Sequence, residues 1–119
     1  MAHVVALVGD PEVGAALAAA AEAAGHSVDV CTSEADAWDA CEERTELLVV
    51  DLSGEAVDGA TLVDSMRAGG ELRGVRTLAL HRNADHAAIA RAQEVGFDAV
   101  VSRARLDADA AALITRLLA

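Results

Sequence analysis

Four stretches of the chain set polar side chains directly behind short apolar runs: Val8-Gly9-Asp10, Asp51 after Leu47-Leu48-Val49-Val50, His81-Arg82 and Ser102-Arg103. If the runs are strands of one open parallel sheet, their carboxyl ends border a single crevice, which is where such sheets bind ligands. Asp51 is the most informative residue of the set. A carboxylate placed right after four aliphatic residues is stripped of water on one side, so something must hold it there. Its plainer reading is a loop cap, because aspartate is common at turns. Other chemistry fails on spacing. Gly9-Asp10-Pro11-Glu12-Val13-Gly14 lacks the third glycine of a dinucleotide loop, and Pro11 removes an amide that would cradle phosphate. His81 and His86 have no cysteine nearby to complete a zinc site, and Cys31 has no adjacent base. With no nucleophile–base pair in view, an enzyme is not expected.

The elements that must carry these residues follow from periodicity. Val4–Val8 reads as a buried strand, and Pro11 opens a helix through Val13, Leu17 and Ala20 or Ala21 that ends at Gly25. Ser27–Cys31 is a second strand, capped by Thr32 or Ser33 into a helix through Ala37, Trp38 and Cys41. Leu47–Val50 is the third strand, closing at Asp51, and Asp51 to Asp58 reads as a loop. A helix runs from about Gly59 through Leu62, Val63 and Met66 to Gly69-Gly70. Arg76–Leu80 is the fourth strand. His81-Arg82-Asn83 leads into a helix with Ile89, Ala90 and Val95, closed by Gly96. Asp98–Ser102 is the fifth strand, and Asp107–Leu118 a final helix with Ala111, Leu113 or Ile114, Leu117 and Leu118 inward. Near-continuous aliphatic strands alternating with helices predict an α/β fold: a doubly wound, five-stranded parallel sheet with helices on both faces.

Composition narrows the function classes. The chain has 119 residues, 54% of them hydrophobic, enough for one self-supporting core and too few for two. A single domain over residues 1–119 is expected, with no effector domain. The net charge of -11 and the absence of a basic stripe argue against nucleic-acid binding. No apolar run is long enough for a membrane span, and the first residues lack a secretion-signal layout, so a soluble cytoplasmic protein is expected. Cys31 and Cys41 read as thiols of a reducing compartment. All nine basic residues are arginine, with no lysine at all.

The stretch Leu47 to Gly59, with an aspartate ending the third strand and an Asp-Gly pair at positions 58 and 59, resembles the phosphoacceptor segment of response-regulator receiver domains. Pro11-Glu12-Val13, Ala23 to Val28 and Ala92 to Ala99 resemble that family's first helix, second strand and approach to the fifth strand, so the resemblance spans the chain. It implies a flavodoxin-like receiver fold and a place in two-component phosphorelay signalling. It also implies Mg²⁺ held by an acidic pair after the first strand, the acceptor aspartate and a carbonyl two residues on, here that of Ser53.

Several of the implied parts are replaced. Val8 and Gly9 stand where the acidic pair belongs, with Asp10 one step beyond. Arg103 stands where a lysine ends the fifth strand, followed by Ala104 in place of proline, and a planar guanidinium is not a mobile point charge. The expected result is a fixed Asp51–Arg103 ion pair with local charge near zero. His81 replaces the switch hydroxyl, either as an exposed loop-start residue or beside Asp51, and Val100 replaces the switch aromatic. These departures predict a pseudo-receiver that acts by protein–protein contact with a kinase or downstream effector and carries no cofactor. A homodimer is a further expectation. The resemblance places the partner surface at about Asn83 to Leu118, with Phe97, Arg105, Leu106 and Arg116 as anchors. Two alternatives stand beside this: a working Asp51 phosphoacceptor with Mg²⁺ on Asp10 and Asp51, and a small-molecule sensor in the crevice opened by Val8 and Gly9.

Overall fold

The computed structural model describes residues 2–41, 44–53, 59–82 and 85–118. Most of the loop expected over 51–58, and the helix start expected at Asn83, lie outside these residues. Ten elements alternate along the chain: β1 His3–Leu7, α1 Pro11–Ala23, β2 Ser27–Cys31, α2 Glu34–Ala40, β3 Thr45–Asp51, α3 Gly59–Ala68, β4 Arg76–His81, α4 His86–Val95, β5 Ala99–Ser102 and α5 Arg103–Leu118. The strands form one sheet in the order β2-β1-β3-β4-β5, and every pairing is parallel.

Alternation along the strands divides the core in two. Val4, Ala6, Leu47, Val49, Leu78, Leu80 and Val101 face α1 and α5, meeting Leu17, Leu106, Leu113 and Ile114. Val5, Leu7, Leu48, Val50 and Ala79 face the opposite way, onto Ala37 of α2, Leu62, Val63 and Met66 of α3, and Ala92 of α4. Both faces are covered, which is why the strands read as unbroken aliphatic runs.

Helix ends follow local chemistry. Asp10 caps α1 by accepting from the Glu12 amide at 2.9 Å, and Pro11 stands in the first turn. Ser33, rather than Thr32, caps α2 through the Asp36 amide. Asp85 caps α4 through the Ala88 amide, and Gly96 closes it in the left-handed conformation at φ 91.

Several element ends differ from the sequence expectations, with β1 running His3–Leu7 rather than Val4–Val8 and β4 extending to His81 rather than Leu80. The third strand begins at Thr45, not Leu47, because Thr45 pairs with His3 in the sheet register and its hydroxyl bonds the His3 ring at 2.9 Å. The fifth strand begins at Ala99, since Asp98 turns aside: its carboxylate accepts from the Thr77 amide at 2.7 Å and from the Thr77 hydroxyl at 3.2 Å. The last helix starts at Arg103, four residues early, and breaks at Asp109 with φ -134 and ψ 27. Nothing in Arg103, Ala104 and Arg105 opposes helix, and the Ser102 hydroxyl accepts from the Arg105 amide at 3.2 Å. Within this helix Ala111 is exposed and Ala110 faces the core instead.

Candidate functional site

Asp51 is the last residue of β3, paired with Leu80 of β4, and only 4% of its surface is exposed. The strand continues just far enough for the Leu52 amide to bond the Leu80 carbonyl at 2.8 Å. The chain then turns back, and Ser53 donates to Asp51 Oδ1 through both its amide, at 3.0 Å, and its hydroxyl. Ser53 thus contributes two donors to the carboxylate.

The other oxygen belongs to Arg103. Its Nη2 donates to Asp51 Oδ2, and its Nη1 lies 3.4 Å from Asp10 Oδ2. One guanidinium therefore bridges two carboxylates that approach from β3 and from the start of α1. The Arg103 side chain is 20% exposed against 3% for Asp51, so the pair is shielded from solvent more on the acid's side. Its Nε is buried without a hydrogen-bond partner among the described residues. The expectation of a single carboxylate facing Arg103 is corrected here: Asp10 joins it, and the three charges sum to minus one, not zero. Asp10 reaches the cluster while capping α1, a dual role that its offset from the strand end concealed.

Burial works to raise the Asp51 carboxyl pKa, but the hydrogen bonds from Arg103 and Ser53, with the arginine's charge, outweigh it and hold it below the ordinary value of 3.8. The carboxylate is therefore ionised at neutral pH. His81 ends β4 half-exposed, and its Nδ1–H donates to the Arg82 carbonyl at 2.8 Å. That bond directs the ring to its own neighbour at the end of the strand. Val8 is buried, while Gly9 is exposed, and a side chain added at Gly9 would meet nothing within 4 Å.

A hard divalent cation requires several free oxygens in near-octahedral array. Asp51 Oδ1 receives two donors from Ser53, Asp51 Oδ2 takes the guanidinium, and Asp10 Oδ1 takes the Glu12 amide. This donor set fits a guanidinium and does not fit Mg²⁺. Among the described residues no group of three metal-ligating side chains converges anywhere.

Two of the four proposed surface anchors are core residues. Leu106 of α5 is fully buried in the core between α5 and the sheet, and Phe97 is 9% exposed, in the same core cluster as Leu62, Val63 and Met66. Each lies at an apolar position that faces the sheet, which a count of large side chains near the surface segment could not separate from anchors. Arg105 and Arg116 are exposed. Cys31 and Cys41 are free thiols. Burial raises both, with Asp29 and Asp36 adding to the effect at Cys31, and Cys41 is pushed up to about 11.

Sequence reasoning passed over His3. It is 4% exposed, and its ring joins three strands, Nδ1 with Thr45 Oγ1 at 2.9 Å and Nε2 with Asp29 Oδ2 at 2.7 Å. It lies at the amino end of β1, the sheet edge opposite Asp51, and fastens β2 and β3 to β1. A histidine third in the chain carries no signal of such a role.

No protein-family model and no curated protein matches the chain. Solved structures do. Chemotaxis protein CheY4 of Vibrio cholerae is similar at TM-score 0.85 and 17% identity, with 99% of each chain covered. A CheY-like response regulator receiver domain protein of Methanospirillum hungatei gives 0.83 and 15%, covering 99% of this chain and 94% of that one. A response regulator of Thermotoga maritima gives 0.81 and 18%, over 99% and 98%. Strand order, all-parallel pairing and helices on both faces agree with these neighbours, and the chain has the receiver-domain fold of response regulators.

Proposed function

We propose that this chain is an atypical receiver domain that acts in two-component signal transduction through contacts with other proteins, without a phosphoryl transfer chemistry of its own. One observation carries the reading: Arg103 lies across Asp51 and Asp10, taking the place a metal would need. Phosphoryl transfer to a carboxylate needs a free oxygen and a cation to neutralise the incoming group. Asp51 offers no free oxygen while the guanidinium and Ser53 engage both, and the one cation beside it is already committed to two carboxylates. In this reading the domain is not an enzyme, holds no cofactor, works in the cytoplasm and has a signalling protein as its partner. Among the described residues no helix is long and apolar enough to cross a membrane.

Incubation with acetyl phosphate and Mg²⁺, followed by intact-mass analysis, tests this directly. The expected result is an unchanged mass, and no spectral response to beryllofluoride with Mg²⁺. A phosphoryl adduct at Asp51 would overturn the proposal in favour of a working phosphoacceptor.

A further inference from the structure

The α2 and α3 helices enclose a groove of about 420 Å³ on the face of the sheet away from α1 and α5. Trp38 and Leu62 form its apolar part, Glu34 and Asp39 line it from α2, and Thr61 and Ser65 line it from α3. None of Asp10, Asp51, Ser53 or Arg103 belongs to it. Trp38 is the chain's only tryptophan, in a sequence with one phenylalanine and no tyrosine. It is half-buried, with part of its surface packed on the core and part open to the groove.

We propose that this groove receives an arginine side chain presented by a partner protein, its guanidinium stacked on the Trp38 indole and paired with the Asp39 carboxylate. An indole face attracts a cation through its quadrupole, tryptophan more strongly than any other side chain. Asp39 adjoins Trp38 on α2 and both line the groove, so ring and carboxylate border the same space. Arginine suits such a site better than lysine, because its planar fork both stacks on a ring and meets a carboxylate with two donors. A net charge of -11 further favours basic partners in diffusional encounter.

This inference concerns a different face from the Asp51 pocket and stands whether or not Asp51 can be phosphorylated; it shares with the proposed function only the premise of a protein partner. Because Trp38 is the sole tryptophan, its emission reports this groove alone. Titration with acetyl-Gly-Gly-Arg-Gly-Gly-amide is expected to give a saturable change in Trp38 emission, and the citrulline counterpart none. Asp39→Asn should weaken binding about fivefold, whereas Glu94→Gln, which removes an equal charge from the exposed face of α4, should leave it unchanged. By calorimetry, Trp38→Leu should weaken it about tenfold while keeping the apolar packing. No emission change, an equal response to citrulline, or equal losses in the Asp39 and Glu94 variants would overturn the proposal, the last by reducing it to attraction of bulk charge.

Discussion

Arg103 and Asp51 depend on one another unequally. The acid is the more deeply buried partner, and removing the arginine would leave its charge without its main counterion. Arg103→Ala is expected to cost about 3 kcal/mol at pH 7, the low end for breaking a buried pair because the arginine is partly exposed. The pH dependence of that cost has a definite sign. In the native protein the Asp51 pKa is depressed, so the pair contributes stability above the ordinary carboxylate range and loses it as pH falls through the folded value. Without Arg103, burial, the largest influence on this group, pushes the pKa upward. The variant's folded state then takes up a proton more readily as pH falls. The penalty of Arg103→Ala should therefore shrink between pH 7 and pH 5 in urea unfolding, and a penalty constant across that range would contradict this account. The apolar runs put both residues at one sheet edge, and their pairing was expected from the resemblance, in which Arg103 stands in the place of a lysine. The share taken by Asp10 was not, since a residue three places beyond a strand can be placed only once the turn into α1 is known.

Among the elements, α3 shows how closely helix and sheet approach near the site. A side-chain carbon added at Gly59, the first residue of α3, would lie 2.1 Å from Val50 Cγ1, one residue before Asp51. Gly59→Ala is thus expected to push α3 from β3 at a cost of about 1–3 kcal/mol, seen as a lower urea midpoint with little change in slope. The sequence marked this glycine as half of an Asp-Gly pair in a resemblance, whereas its physical demand is space. The strands were the most legible elements, because two covered faces leave runs of aliphatic residues that nothing else explains. The last helix was the least legible. Its first turns carry Arg103, Ala104, Arg105 and Leu106, of which only Leu106 faces the core, and one apolar residue in four gives no helical period. The same scarcity of pattern let Leu106 pass for a surface anchor.

At the scale of the whole molecule, the sheet order sets β3 at the centre between β1 and β4, with β2 and β5 at the rims. β5 and the residue that follows it therefore join the sheet through β4 alone, at the end of the chain. The negative charge is spread over exposed helix positions such as Glu12, Glu22, Asp36, Asp39, Asp64 and Glu94, while the pocket carries a net charge of only minus one. The guanidinium bridge spans 52 residues to Asp51 and 93 to Asp10. Closures of that length cost the most chain entropy, so contacts of this kind tend to form late in folding. Arg103→Ala should accordingly leave the refolding rate nearly unchanged and place its effect in faster unfolding, read from the two arms of a stopped-flow chevron; slowed refolding would put the bridge in the folding nucleus instead. An interaction that forms after the rate-limiting step acts as a latch on an assembled sheet. The residue that neutralises Asp51 would in this way also set how long the folded domain persists.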